Sequence, residues 1–129
     1  MPSALLRAIR RLSSQPPTAR TPKPQAVFLD ALSLGGVDLA PLRRWSDLRC
    51  WPSTATAERL ERLADAEIAI TNKIVLDGPL LEQLPRLRLI CTASTGTDQV
   101  DHATCQRRGI PIENAGRYST ASVVQVTWA

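Results

Sequence analysis

Lys73 is the one lysine after residue 24, and it follows the short apolar run Ile68-Ala69-Ile70-Thr71. A cation just beyond a buried strand suits a small carboxylate or phosphate. The segment Thr92 to Asp98 is small, polar and centred on Gly96. Such a loop can turn backbone N–H groups toward an anion. On these residues alone a plainer reading stays open, in which Gly96 serves turn geometry and Lys73 is solvated.

The motifs that are missing narrow the chemistry. Glycines stand only at 35, 36, 78, 96, 109 and 116. There is thus no G-x-G-x-x-G fingerprint and no Walker A loop, and no G-x-S-x-G elbow is present either. His102 opens a helical stretch, where a surface or capping role is expected. Cys91, at a strand end, reads as a small buried apolar residue. Cys50 and Cys105 have no base beside them. Three cysteines, one histidine and no C-x-x-C exclude a disulfide scaffold and a structural zinc site, and no metal is expected. Glu58 and Glu61 read as a solvated helix face.

The elements that must position these residues alternate along the chain. Short strand runs are expected at Ala26–Leu29, Leu48–Trp51, Glu67–Thr71, Leu87–Cys91 and Ile110–Glu113. Pro111 marks the last as an edge strand. Helical patterns fall between them, over 38–45, 54–65, Gly78–Leu84 and Asp101–Arg108, with Gly109 in the C′ position. In the second, Ala57, Leu60, Leu63 and Ala64 share one face; in the third, Leu80, Leu81 and Leu84 face inward. Ser119 or Thr120 is a natural N-cap for a further helix. Strands alternating with helices predict a parallel sheet covered on both faces, and right-handed crossovers favour a flavodoxin-like, doubly wound α/β sandwich of about five strands. Ligands of such sheets bind outside the carboxyl ends of the strands. Asp30, Asn72-Lys73, Ser94–Asp98 and Asn114–Ser119 lie there.

The chain has 129 residues, 43% of them apolar and 22% charged, which is a globular balance. No apolar run approaches the roughly 18 residues of a membrane span, so no membrane role is expected. The net charge of +4 is a property of the start. Residues 1–24 carry Arg7, Arg10, Arg11, Arg20 and Lys23 and no acid, whereas the rest is near neutral. No basic stripe with interleaved aromatics marks a nucleic-acid surface, and no nucleic acid is expected. Leu5, Ile9 and Leu12 share a helical face. Residues 13–24 hold four prolines and read as a linker. The whole of 1–24 is therefore expected to be a disordered, dispensable extension. An organelle presequence is the alternative, so the compartment expected is cytoplasmic, with mitochondrial as the alternative.

The stretch ADAEIAITNKIVLDGPLLEQLPRLRLICTASTGTDQVD, followed by RRGIPIENAGRYSTASVVQVT, resembles the D-isomer-specific 2-hydroxyacid dehydrogenases. Within them it is most similar to the glycerate dehydrogenase / hydroxypyruvate reductase branch. The features that carry this are Thr71-Asn72-Lys73, the Ala93-Ser94-Thr95-Gly96 loop with Val100-Asp101 after it, and Tyr118-Ser119-Thr120 before Ser122-Val123. The resemblance covers about residues 25–129.

What the resemblance implies is an oxidoreductase that transfers a hydride between NAD or NADP and a small D-2-hydroxy or 2-oxo acid. Residues 25–118 would be the first part of its substrate domain, and 119–129 the start of a truncated interdomain helix. A Rossmann domain would follow near Ser122. The family's catalytic Arg, Glu and His would lie beyond residue 129, as would a helix returning to complete the substrate domain. No catalytic residue is therefore expected here, His102 included, and the fragment alone is expected to be inactive. By position, Thr95 and Gly96 match the loop whose amides hold the substrate carboxylate. Lys73 matches a basic position near the substrate, and Ser119 lines the substrate side of the cleft. Thr120 and Val123 match positions near the nicotinamide. Val124, where the family commonly has Ala, departs from the pattern. The full-length protein is expected to be a homodimer. The alternative reading is a non-catalytic flavodoxin-like module that binds small carboxylates.

Overall fold

The computed structural model describes residues 6–7, 9–10, 23–34, 39–93 and 97–114. Five strands form one sheet: β1 (Gln25–Phe28), β2 (Asp47–Cys50), β3 (Ile68–Thr71), β4 (Leu89–Thr92) and β5 (Ile112–Asn114). Their order is β2-β1-β3-β4-β5, and every neighbouring pair is parallel. This is the doubly wound arrangement expected, with the switch between β1 and β3. Central β3 and β4 are buried along their whole length, as strands covered on both faces must be. Edge strand β5 is only half-buried, in keeping with Pro111 just before it.

The two-residue period divides the core. Ala26, Phe28, Leu48, Ile68, Ile70, Leu89 and Cys91 face one side. Val27, Leu29, Ala69 and Ile90 face the other, against Leu63, Leu76, Leu80, Leu81, Leu84 and Cys105. That second side is covered by three helices: α2 (Arg59–Leu63), α3 (Gly78–Glu82) and α4 (His102–Arg108). The first side has α1 (Ala40–Arg43), whose Leu42 is buried there.

Helix α4 ends as its sequence requires. Gly109 takes φ 71°, and its N–H caps the Cys105 and Gln106 carbonyls. Asp77 caps α3 by accepting from Leu80 N, and Asp101 caps α4 by accepting from Ala103 N.

Two expectations need correction. Of the four residues expected to share the inward face of 54–65, only Leu63 is buried; Ala57, Leu60 and Ala64 are exposed. The segment begins as a 3-10 turn over Thr56–Glu58, and three residues per turn rotate the face that follows. Glu58 is accordingly not an idle solvated acid. Its carboxylate accepts from Ala55 N at 2.9 Å and pairs with Arg62 at 3.0 Å.

The second correction concerns the start of the chain. Leu6, Arg7, Ile9 and Arg10 are helical, and Ile9 is 0% exposed, in the core cluster on the first side of the sheet that also holds Leu42 and Phe28. The Arg10 guanidinium lies 4.8 Å from the centre of the Trp45 ring. Of the expected apolar stripe, Ile9 is thus part of the core; Leu5 and Leu12 lie outside the described residues. Of the expected linker over 13–24, residues 13–22 lie outside the described residues. Its end is fixed: Lys23 Nζ donates to Arg43 O, and Pro24 O accepts from Asp47 N, both at 2.8 Å.

Candidate functional site

Parallel pairing of β1 with β3 brings two sequence-distant strand ends together at the carboxyl edge. Phe28 is in register with Ile70, and Leu29 N donates to Ile70 O at 2.9 Å. The next residue, Asp30, therefore arrives beside Asn72 and Lys73. Its carboxylate takes a backbone N–H on each oxygen: Asn72 N on Oδ1 at 2.8 Å and Lys73 N on Oδ2 at 2.7 Å. Asp30 is 5% exposed, and no described cation pairs with it. Such a group is costly to bury unless its oxygens are satisfied, and here the two amides satisfy them.

Asp30 is itself held in place. Thr54 Oγ1 donates to Leu29 O at 2.7 Å, and Ala31 N donates to Trp51 O at 2.9 Å. Ser33 N and Oγ both donate to Asp30 O, and Ser33 Oγ accepts from Asn72 Nδ2 at 2.8 Å.

The loop after β3 is tied on its other flank as well. Gln99 Nε2 donates to Asn72 O at 2.9 Å. Leu76 and Val100 form an isolated parallel bridge, with Leu76 N on Gln99 O at 2.7 Å and Asp101 N on Leu76 O at 3.0 Å. Thr71 Oγ1 accepts from Ile74 N at 2.8 Å. The segment after β3, picked out by sequence as ligand-facing, is thus bonded to Gln99–Asp101, just past the expected Ser94–Asp98 loop.

Lys73 sits at the exposed rim of this edge, and its ammonium has no partner among the described residues. The other expected site residues, Thr95, Gly96, Ser119, Thr120 and Val123, lie outside the described residues. The loop resumes at Thr97, whose Oγ1 is 2.9 Å and whose carbonyl is 3.0 Å from His102 Nε2. His102 is exposed and braces the loop exit, the surface role expected of it.

Sequence reasoning placed Asp30 at the ligand edge but gave it no task. The available signal was an acid directly after an apolar run, at the end of the strand next to the switch point.

Cys91 is fully buried in β4, as expected. Burial pushes the Cys50 and Cys105 thiols above their ordinary pKa; Arg43 opposes the rise at Cys50, while at Cys105 Asp101 adds to it and Arg108 opposes it. Neither thiol is poised as a nucleophile. No group of three or more possible metal ligands occurs among the described residues. Two surface cavities, of about 340 and 510 Å³, both include Gln25 and so open at the amino end of β1, opposite the edge that carries Lys73.

The described residues offer a small anion a cation and a braced loop, but no glycine-rich turn that could hold a pyrophosphate.

Known proteins carry the same pattern. The family model for the D-isomer specific 2-hydroxyacid dehydrogenase catalytic domain matches residues 26–129. The chain is 40% identical over 103 residues to a glycerate dehydrogenase of Methylorubrum extorquens, covering 77% of this chain and 32% of that protein. It is 38% identical over 72 residues to a hydroxypyruvate reductase of Blautia hydrogenotrophica, covering 56% and 22%. The crystal structure of a D-lactate dehydrogenase from Aquifex aeolicus, complexed with NAD and lactic acid, superposes with a TM-score of 0.59 at 28% identity, covering 77% of this chain and 30% of that one. The chain thus spans about a third or less of the length of these relatives.

Proposed function

Since the chain belongs to the D-isomer specific 2-hydroxyacid dehydrogenases, we propose that it supplies the substrate-binding part of an enzyme that passes a hydride between NAD or NADP and a small D-2-hydroxy or 2-oxo acid. Glycerate and hydroxypyruvate are the first pair to consider, because relatives named for them align with most or about half of the chain. The observation that carries this reading is Lys73. It is an ammonium at the carboxyl edge of the sheet with no partner among the described residues, on a backbone fastened from both flanks. In this reading Lys73 attracts the substrate carboxylate and the amides of Thr95 and Gly96 hold it. Ser119 lines the substrate side of the cleft, and Thr120 and Val123 lie near the nicotinamide.

The described residues do not fit the dinucleotide itself. They are assigned binding and orientation of the acid and no step of the hydride transfer. A bound nicotinamide supplies the hydride acceptor or donor.

The test is an assay of the complete gene product with hydroxypyruvate, glyoxylate and pyruvate, each against NADH and NADPH. The expected result is reduced-cofactor oxidation that depends on the 2-oxo acid. A folded, complete protein that oxidises neither cofactor with any of the three would overturn the proposal.

A further inference from the structure

Asp30 presents a puzzle that fold stability does not answer. A carboxylate that is 5% exposed and has no counter-ion among the described residues is an expensive way to staple a loop. A neutral side chain could accept one N–H at lower cost. Asp30 instead accepts two consecutive amides, Asn72 N and Lys73 N, at 2.8 and 2.7 Å. The carboxylate gives each amide its own oxygen, and the pair of bonds fixes the peptide plane that leads into Lys73.

We propose that Asp30 is a positioning residue for substrate binding, acting through Lys73: its carboxylate locks the Asn72–Lys73 backbone so that the lysine's charge is presented at the carboxyl edge of the sheet. This rests on the function proposed above.

Three further observations agree with it. The lock has a second bolt, since Asn72 Nδ2 donates to Ser33 Oγ, and Ser33 is bonded back to Asp30 O. The opposite flank is held by Gln99, so Asp30 closes the one side that would otherwise be open. Finally, the Asn72 and Lys73 amides are consumed by Asp30. An incoming carboxylate cannot use them and must rely on the lysine ammonium and the loop that follows β4. A long, flexible lysine loses much entropy on binding, and a fixed backbone lowers that loss.

The experiment is a double-mutant cycle in the complete gene product, with Asp30→Asn and Lys73→Ala, alone and together. KM for hydroxypyruvate, KM for the reduced cofactor and kcat are measured for each. Asparagine keeps one acceptor oxygen but turns an N–H toward the Lys73 amide, so one of the two bonds is lost. Asp30→Asn is expected to raise KM for hydroxypyruvate about tenfold, with little effect on KM for the cofactor. In the double mutant the Asp30 substitution should add almost nothing to the effect of Lys73→Ala. Ser33→Ala, at an exposed position, supplies a second arm should Asp30→Asn fail to fold. It should raise the same KM about two- to threefold, again only when Lys73 is present.

Additive effects, or an unchanged KM in the arm that folds, would overturn the positioning role while leaving the dehydrogenase reading intact. So would a parallel change in kcat and both KM values, which is the mark of general destabilisation. A wild-type protein inactive toward every 2-oxo acid would overturn both.

Discussion

Gly78 and Asp101 are in such close approach that a Cβ built on the glycine would stand 2.6 Å from Asp101 Oδ2 and 3.1 Å from Thr104 Oγ1. The aspartate cannot swing aside freely. It caps α4 through Ala103 N and accepts from Thr104 Oγ1 at 2.9 Å. Gly78 is where α3 and α4 meet, and its lack of a side chain permits the contact.

Gly78→Ala should therefore cost stability, although alanine is the better helix former. Loss of the Asp101 cap is worth about 1 kcal/mol, against a few tenths regained from propensity at a helix end. Thermal unfolding should show a lowered Tm. An unchanged or raised Tm would mean that Asp101 relaxes without cost.

Ile9 is fully buried in the same core cluster as Leu42, Phe28 and Ile70, so this part of the chain contributes to the core. Ile9→Ala should lower the unfolding free energy by about 2 kcal/mol, at the lower end for buried isoleucine because its segment is short. Urea denaturation at constant m-value is the check. A loss under 0.5 kcal/mol would show that the seat is not occupied in solution.

Gly96→Val should raise KM for the 2-oxo acid and leave cofactor affinity nearly unchanged. The expected loss in kcat/KM is about ten- to several-hundredfold, the value of one or two charge-assisted hydrogen bonds. Lys73→Ala should act in the same direction but less. Steady-state kinetics on the complete protein would decide. Weakened NAD(P)H binding with kcat/KM for the acid intact would remove the carboxylate role from this loop.

The thiols set an alkaline limit. The folded-state pKa values of Cys50 and Cys105 are raised above those of the unfolded chain, mainly by burial. Their contribution to stability is fully present below the unfolded value and is lost as pH rises through the folded one. Stability should thus be level near pH 7 and fall above about pH 8.5, where unfolded thiols ionise. Cys105→Ala should shrink that fall. Urea midpoints measured across this range test it, and an identical fall in the variant would assign the loss elsewhere.

The sheet was legible because its signals are local. Ile68-Ala69-Ile70-Thr71 and Leu89-Ile90-Cys91-Thr92 are apolar on both faces, which marks central strands before any pairing is known. The helical face over 54–65 was misread because a single 3-10 turn at its start is enough to rotate it. Ile9 was visible as part of an apolar stripe, but the core cluster it joins is built from strands far along the chain. Asp30 was the harder case. Its partners lie 42 and 43 residues away, and they become neighbours only because β1 pairs with β3 and not with β2 alone. Lys73, by contrast, declared itself by type and position.

Ile9 in the core and Lys23 bonded to Arg43 O fix two points near the start of the chain. Because it belongs to the same chain, Ile9 meets the core at an effective concentration of order millimolar, whatever the protein concentration. A single proteolytic cut between 11 and 22 would turn the same contact into an encounter between two molecules. Ile9 would then be lost by dilution, leaving its place in the first-side core cluster empty without breaking one bond of the sheet.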